Sequence, residues 1–168
     1  ETGLKGVFKM SFENVKKYFE EIEMDSKIIE LKDSSATVEQ AANALGCKPE
    51  HIAKTMSFKT KEGPILIVCA GDAKIDNKKY KSVFGQKAKM IPANEVEELI
   101  GHLPGGVCPF AIKENVKVYL DISLKRFEKV YPAAGNGHSA IELTIKELET
   151  ISKADSWVDV CNNWQVDQ

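Results

Sequence analysis

The sequence lacks most of the patterns that announce an enzyme or a metal protein. It contains no G-x-S-x-G elbow, no phosphate-binding P-loop, no G-x-G-x-x-G fingerprint and no H-E-x-x-H helix. Its four cysteines form no C-x-x-C pair, and its three histidines stand at no zinc-ligand spacing. We therefore expect reduced thiols, no metal site and no cofactor.

Long apolar runs and a surplus of charge are also missing. No stretch approaches the roughly 18 apolar residues that a membrane span needs, and no export signal is visible at the start. We expect a cytoplasmic, monomeric protein that makes no membrane contact. Met10 and Ser11 are typical of a natural start, so residues 1–9 are interpreted as an added leader and residues 10–168 as a single domain.

The net charge of −2 excludes a protein that holds nucleic acid by bulk positive charge, but it allows a local basic patch. Such a patch is visible between residues 73 and 90, where six lysines stand against one aspartate. A solvated helix face is the ordinary explanation, and a phosphate-contacting surface is the functional one. The candidate lysines for such phosphate contacts are Lys74, Lys78, Lys79, Lys81, Lys87 and Lys89.

The hydrophobic patterns predict a mixed chain of seven or eight short strands and five helices. A first helix is predicted to begin at a Ser11 cap, and a second to begin at a capping box of Thr37 and Gln40 and to end at Gly46. "PILIVCA" and "VKVYLDIS" are typical of central strands. "KAKMIP" is predicted to be a short strand, and "HSAIELT" a single one. Short links between the elements argue against a helix bundle and against a repeating βαβ sheet. The fold class is therefore α+β, a mixed α/β arrangement.

Three local features can carry chemistry. Lys54 enters an apolar strand, where a lysine is either solvated at an edge or aimed into a pocket as a clamp for phosphate or a carbonyl. "PGGVCPF" holds Gly105 and Gly106, whose bare backbone either approaches a ligand closely or makes an ordinary turn. "AGNGHSAIEL" places His138 and Ser139 where a flexible turn meets a strand.

Cys108, in the second of these features, is a candidate nucleophile only if a base or a lowered pKa activates it. The sequence indicates neither, so a buried and inert thiol is the better hypothesis. The alternative is a cysteine-dependent hydrolase or oxidoreductase, which has less support because no paired cysteine and no base are evident in the sequence.

Four segments in this order, "GCKPEHIAKTMSF", "LPGGVCPFAI", "VYLDISLKRFEKVYPAAGNGHSAIELTIKELETI" and "WVDV", resemble the YbaK/prolyl-tRNA synthetase-associated domain family. The resemblance runs from about Met10 to Cys161. It implies a barrel-like mixed β-sheet flanked by helices. It also implies an aminoacyl-tRNA deacylase that acts in trans on a mischarged tRNA, of the tRNA(Pro) editing type, with the tRNA acceptor end and prolyl-tRNA synthetase as partners.

The resemblance also implies a set of site residues. The key lysine of the family falls on Lys54, and its backbone loop on Gly105 and Gly106, which together form the expected catalytic group. The implied substrate-binding residues are Thr55, Gly101, Pro104, Gly135, Gly137, His138 and Ser139.

An activated ester needs a positioned water and a stabilised oxyanion more than it needs a nucleophilic side chain, so backbone donors can suffice. The walls of the acyl pocket are expected among Ile28, Ile29, Met56 and Val68, depending on strand register. The alternative function is a non-catalytic module on the same fold that binds an amino acid, a nucleotide or a protein.

Overall fold

The structure is a computed structural model that describes residues 4–164, with side chains from residue 11 onward. Of the leader predicted at residues 1–9, residues 1–3 lie outside this part, as do residues 165–168 at the other end. In chain order, the helices are α1 (Leu4–Glu21), α2 (Val38–Leu45), α3 (Asn77–Phe84), α4 (Ala93–Ile100) and α5 (Ile145–Ile151).

Within residues 4–164 the chain also forms ten strands. They are β1 (Ile28–Glu30), β2 (Ala53–Thr60), β3 (Gly63–Ala70), β4 (Lys74–Ile75), β5 (Lys117–Asp121), β6 (Lys129–Val130), β7 (Ser139–Ile141), β8 (Leu143–Thr144), β9 (Ser156–Val158) and β10 (Cys161–Asn162). Short 3₁₀ turns at Asp25–Lys27, Pro49–His51 and Ile122–Arg126 connect some of them.

The central sheet has four strands in the order β2-β3-β5-β9. β2 pairs antiparallel with β3, whereas β3 with β5 and β5 with β9 run parallel. Three two-stranded antiparallel pairs, β1 with β7, β4 with β10 and β6 with β8, surround it. The α+β class is thus confirmed. The described strands do not close into a barrel, which corrects the expected barrel-like sheet.

The core lies on the apolar run of β3, whose residues 65–70 are all buried because both faces of the strand are covered. Phe19 of α1 and Leu148 of α5 are fully buried in the same cluster. Burial of this apolar surface supplies the main favourable term of folding. The sheet edge at β2 is thereby held rigidly beside α2 and α4.

Helix ends follow the sequence in most places. Thr37 and Gln40 form the predicted capping box of α2, and Gly46 ends that helix in a left-handed conformation. The predicted start of α1 was wrong, because the helix begins at Leu4 and Ser11 lies inside it. The predicted strand "KAKMIP" is reduced to one bridge between Met90 and Phe58.

Candidate functional site

A pocket of about 450 Å³ opens beside the first half of β2. The start of α2, the start of α4, the loop at 104–107 and the segment at 131–133 form its walls. Its polar side chains are those of Ser35, Thr37, Lys54, Thr55, Ser57, Tyr131 and Ser139. Among the lining residues that the structure describes, Lys54 alone carries a charge, so the pocket suits a ligand with an anionic or strongly polar group.

Lys54 is held at the pocket by the pairing of β2 with β3, in which it stands opposite Cys69. Its Nζ donates a hydrogen bond of 3.4 Å to the carbonyl oxygen of Gly71, just beyond the end of β3. A Cβ on Gly71 would lie 2.0 Å from the Pro49 carbonyl oxygen, so this close approach requires glycine. In the described part of the chain no carboxylate pairs with Lys54, and its positive charge is available to a ligand.

The two adjacent glycines after α4 have different surroundings. Gly105 lines the pocket in a left-handed conformation (φ +94°), and no described acceptor receives its N–H. Gly106 lies outside the lining, and its N–H donates to Leu103 at 3.1 Å. A Cβ on Gly106 would come within 2.5 Å of the Asn136 nitrogen. Gly106 therefore joins two loops, and the geometry leaves only Gly105 of this pair as a backbone donor to a ligand.

The other predicted members of this loop divide in the same way. Pro104 lines the pocket. Gly101 does not line it; instead it ends α4 in a left-handed conformation with φ +109°. The loop thus presents Pro104 and Gly105 to the pocket because Gly101 turns the chain sharply after the helix.

The turn at 135–139 brings one of its predicted residues into the pocket. Ser139 is buried and lines the pocket; its N–H donates to Ser35 Oγ at 3.0 Å, and that hydroxyl donates back to the Ser139 carbonyl at 3.2 Å. Gly135 packs against the α1 backbone, where a Cβ would lie 2.8 Å from the Ser11 carbonyl oxygen. Gly137 and the exposed His138 lie outside the lining, and their role as substrate-binding residues stays a prediction.

Of the four expected wall residues, only Met56 lines the pocket. Val68 is fully buried within the central sheet, and Ile28 and Ile29 pair with Ile141 and Ala140 of β7 but are not themselves lining residues. The remaining apolar walls come from residues that the sequence did not single out: Ala36, Val38, Ala41, Ile52, Ala53, Met90, Ile91, Ala93, Val96, Val107, Pro132, Ala133 and Ala140. The Thr37 capping box signalled the start of α2, but no local pattern indicated that this start faces β2.

Comparison with known proteins adds the decisive observation. The family model of the aminoacyl-tRNA editing domain matches residues 32–151, a range that contains every residue lining the pocket. This chain belongs to the aminoacyl-tRNA editing domain family. The YbaK-type resemblance noted in the sequence is thereby confirmed.

Two curated relatives and one solved structure are similar to the editing domain over most of its length. The uncharacterized protein YwhH of Bacillus subtilis is 50% identical over 157 residues, covering 93% of this chain and 100% of that protein. A protein of Enterococcus faecalis named as a candidate Cys-tRNA(Pro)/Cys-tRNA(Cys) deacylase, EbsC, is 26% identical, over 69% of this chain and 72% of its own. A crystal structure described as a candidate trans-editing enzyme for prolyl-tRNA synthetase superposes with a TM-score of 0.81 at 28% identity, covering 90% of this chain and 97% of that one.

The editing domain also contains a cysteine beside a histidine, away from the pocket. Cys108 Sγ lies 3.5 Å from His102 Nε2, and that ring nitrogen donates to the Phe110 carbonyl at 2.7 Å. The hydroxyl of Ser11 donates to His102 Nδ1. The sequence did not reveal this pairing, because the base that stands next to Cys108 sits six residues earlier in an irregular loop.

This cluster is sealed from solvent. Cys108 and His102 are both fully buried, and Phe110 packs edge-to-face on Phe19 with ring centres 5.0 Å apart. Burial raises the pKa of the Cys108 thiol to about 12 and lowers the pKa of His102. A thiolate–imidazolium pair is therefore disfavoured on both sides, and Cys108 is not placed to act as a nucleophile.

None of the six candidate tRNA-binding lysines lines the pocket of the editing domain. Five are exposed, but Lys79 is half-buried, pairs with Asp159 at 3.1 Å and donates to the Cys161 carbonyl at 3.0 Å. Lys79 thus ties α3 to the last strands, unlike its neighbours. Lys89 directly precedes Met90, an exposed residue at the pocket lining.

Two absences complete the description of residues 4–164. No helix there is both long and apolar enough to cross a bilayer. No three histidine, cysteine, aspartate or glutamate side chains come close enough to bind a metal ion together, and all four cysteines are free thiols.

Proposed function

We propose that this editing domain hydrolyses the ester bond of mischarged aminoacyl-tRNA, acting in trans on the acceptor end. The observation that carries this proposal is the pocket itself, which combines one unpaired cation, Lys54, with the free N–H of Gly105 and has no acidic lining residue. Family membership supplies the substrate class. The reaction needs water as the only co-reactant, and the pocket opens to solvent.

The chemistry requires no covalent intermediate with the protein. Water attacks the ester carbonyl carbon, the carbonyl oxygen takes up negative charge, and collapse of the tetrahedral intermediate expels the ribose oxygen, which receives a proton. The products are the free amino acid and the uncharged tRNA. Positioning the water and stabilising the oxyanion account for most of the rate in such a site.

Lys54 and Gly105 have distinct roles in this proposal. The Lys54 ammonium binds either the phosphate of the terminal nucleotide or the ester carbonyl, and the Gly105 N–H donates to the oxyanion. Pro104, Thr55 and Ser139 line the space for the acyl group. Gly101, Gly106 and Gly135 keep the two loops in place, which is a structural contribution to the same site.

We further propose that the tRNA is of the tRNA(Pro) type and that the chain works alongside prolyl-tRNA synthetase in the cytoplasm. Support comes from the names that EbsC and the superposed crystal structure carry. The chain is proposed to act as a monomer built as one domain over residues 10–168, because no second copy is needed to complete the pocket.

Phosphate contacts are proposed for the exposed members of the lysine set, namely Lys74, Lys78, Lys81, Lys87 and Lys89. Lys89 is the member nearest in sequence to the pocket lining, which makes it the first candidate. Lys79 is set apart, because its ammonium is already shared between a carboxylate and a backbone carbonyl.

The test is deacylation of a panel of mischarged tRNAs by the wild-type chain and by Lys54→Ala. We expect the variant to lose roughly 100-fold or more in rate, the scale seen when one transition-state donor is removed. Lys59→Ala is the matched control, since Lys59 lies on the same strand but pairs with Glu95 at 2.7 Å, outside the pocket. Its rate should stay within about twofold.

Undiminished turnover by a folded Lys54→Ala protein contradicts the proposed role of Lys54. Binding of mischarged tRNA without release of the amino acid by the wild-type chain contradicts hydrolysis itself, and identifies the pocket as a non-catalytic binding site.

A further inference from the structure

β2 is an edge strand, because only β3 pairs with it in the central sheet. The second half of its free edge is covered by the chain that leads into α4. Lys59 N–H donates to Lys89 at 2.8 Å, and Ile91 N–H donates to Ser57 at 3.1 Å. Pro92 follows and α4 begins, so the covering segment leaves β2 after Ile91.

The beginning of the same edge is covered by a different segment. Tyr131 N–H donates to His51 at 3.0 Å, and Ala53 N–H donates to Tyr131 at 3.1 Å. Pro132 comes next and cannot donate a further hydrogen bond. Both covering segments therefore end at a proline, one on each side of Thr55.

Strand geometry fixes where the backbone of Thr55 points. In an antiparallel pair alternate residues turn their N–H and C=O to the partner strand, and those between turn them away. Ala53, Ser57 and Lys59 make the outward bonds just described, so Thr55 faces outward as well. Four groups are left without a partner among the described residues: Ala53 C=O, Thr55 N–H, Thr55 C=O and Ser57 N–H. We call this stretch the edge gap.

The edge gap lies inside the pocket, since Ala53, Thr55 and Ser57 all belong to its lining. The hydroxyl of Thr55 is a second, independent sign of an absent ligand, because its Oγ1 is buried and has no hydrogen-bond partner. Unsatisfied polar groups at a buried surface are costly and uncommon in native proteins. Their concentration at Thr55 indicates a position that a ligand completes.

One amino-acid unit can pair with the groups around Thr55, because it offers one carbonyl acceptor and one nitrogen donor. A strand residue laid along Thr55 would accept from its N–H and donate to a carbonyl beside it. The pocket offers no carboxylate to an ammonium group, so backbone carbonyls are the acceptors at hand. A nucleobase presents a similar edge, but it needs aromatic side chains on which to stack, and Tyr131 is the one aromatic side chain among the described lining residues.

Building on the proposed function, we propose that the edge gap binds the aminoacyl group of the substrate as if it were one residue of a neighbouring strand. The ester carbonyl accepts a hydrogen bond from Thr55 N–H, and the α-ammonium donates to the carbonyl of Thr55 or Ala53. Such a contact orients the ester towards Lys54 and makes the free α-amino group part of what is recognised.

The first test compares substrates that differ only at the α-position: alanyl-tRNA, its α-hydroxy counterpart lactyl-tRNA, and N,N-dimethylalanyl-tRNA. Each rate is divided by the hydrolysis rate of the same ester in buffer, which removes differences in intrinsic lability. We expect roughly tenfold or greater loss of acceleration with lactyl-tRNA, since a hydrogen bond from a charged donor is replaced by a neutral one. The hydrolysis of N,N-dimethylalanyl-tRNA should also be accelerated less, because its ammonium group keeps one N–H donor and carries two added methyl groups.

Equal acceleration of all three esters overturns the edge-gap proposal while leaving hydrolysis intact. If alanyl-tRNA itself is not a substrate, the same series is built on whichever aminoacyl-tRNA of the panel is turned over.

The second test does not depend on activity. We would bind 3′-(L-alanylamino)-3′-deoxyadenosine, a non-hydrolysable analogue, and measure amide hydrogen exchange by NMR. The Thr55 amide is expected to gain protection of tenfold or more, whereas the lactyl analogue should protect it less. Thr55→Val, which removes Oγ1 but keeps the backbone groups, is expected to show the same difference between analogues. Unchanged exchange at Thr55 on a saturated protein, or no binding of either analogue, contradicts the proposal even if tRNA is deacylated.

Discussion

The pocket beside β2 and the sealed cluster around Cys108 are opposite solutions to the placement of reactive groups. The cluster has a thiol beside an imidazole, the pair from which cysteine hydrolases are built, yet both are fully buried. The pocket has no such pair, only a lysine and unpaired backbone groups, but a ligand can reach it. Reactivity therefore follows access and ionisation rather than residue type.

One short segment supplies both regions. Pro104 and Gly105 line the pocket, whereas His102 and Cys108 on either side of them point into the core. The His102 hydrogen bond to Phe110 closes this segment into a fixed loop. The buried cluster thus serves the pocket by holding its loop in position, which is a packing role.

The largest effect is expected from Gly106→Ala, which changes the contact between the pocket loop at 104–107 and the turn at 135–139. The added methyl would overlap the backbone of Asn136, so the loops must separate. We expect a loss of roughly 1–3 kcal/mol in unfolding free energy and strongly reduced deacylation. Urea denaturation and the tRNA assay measure the two effects.

Gly137→Ala is the matched control for this change. Its methyl would meet Ala36 Cβ at 3.6 Å, an ordinary contact, so its effect on stability should stay within about 0.5 kcal/mol. Equal stability of the two variants would show that the close approach at Gly106 contributes nothing.

A smaller effect on activity is expected from Cys108→Ser. The thiol is inert because burial holds its pKa at about 12, so deacylation should stay within about twofold. Stability should fall by about 1 kcal/mol, the cost of a more polar group in an apolar site. A folded variant without activity would indicate that the thiol takes part in catalysis, and the buried cluster would then not be inert.

Alkylation gives an independent check on the same residue. Iodoacetamide should label the half-buried Cys47 before it labels the fully buried Cys108. Rapid labelling of Cys108 in the native protein would contradict the sealed state.

The smallest effect concerns pH. Burial lowers the pKa of His102 below its ordinary value of 6.5, so the folded chain keeps this ring neutral where the unfolded chain takes up a proton. Stability from this group is present above pH 6.5 and is lost as pH falls through the folded-state pKa. Unfolding free energies from urea titrations should therefore decrease from pH 7 to pH 5. NMR can follow the protonation of the His102 ring in the native state. Proton uptake by that ring between pH 7 and pH 5 would contradict the lowered pKa.

Local chemistry made much of the fold predictable. The Thr37 capping box and the apolar run of β3 are read from adjacent residues, and both are found where the sequence placed them. The segment "KAKMIP" failed because Pro92 cuts its pairing with β2 after Ile91, a competition between two distant parts of the chain. Strand ends that depend on a partner cannot be located from composition alone.

The site was predictable to the extent that single residues mark it. Lys54, Thr55, Pro104, Gly105 and Ser139 were all expected, and all line the pocket. His138 lies in the turn before β7 and is exposed outside the lining, whereas Ser139, the first residue of β7, is buried and lines the pocket. The position of the α2 start beside β2 and the outward face of Thr55 arise only when remote elements meet, so no sequence pattern indicated them.

The prolines on either side of the edge gap also affect the tendency of the protein to aggregate. Open strand edges are the places where chains join one another into aggregates. Here the free part of the edge consists of the Ala53 carbonyl, the N–H and carbonyl of Thr55, and the Ser57 N–H. On either side of it, covering segments that end at Pro92 and Pro132 occupy the edge. The single amino-acid unit proposed for this opening pairs with the groups around Thr55, whereas the strand of a second chain would find too few free groups to pair along its length.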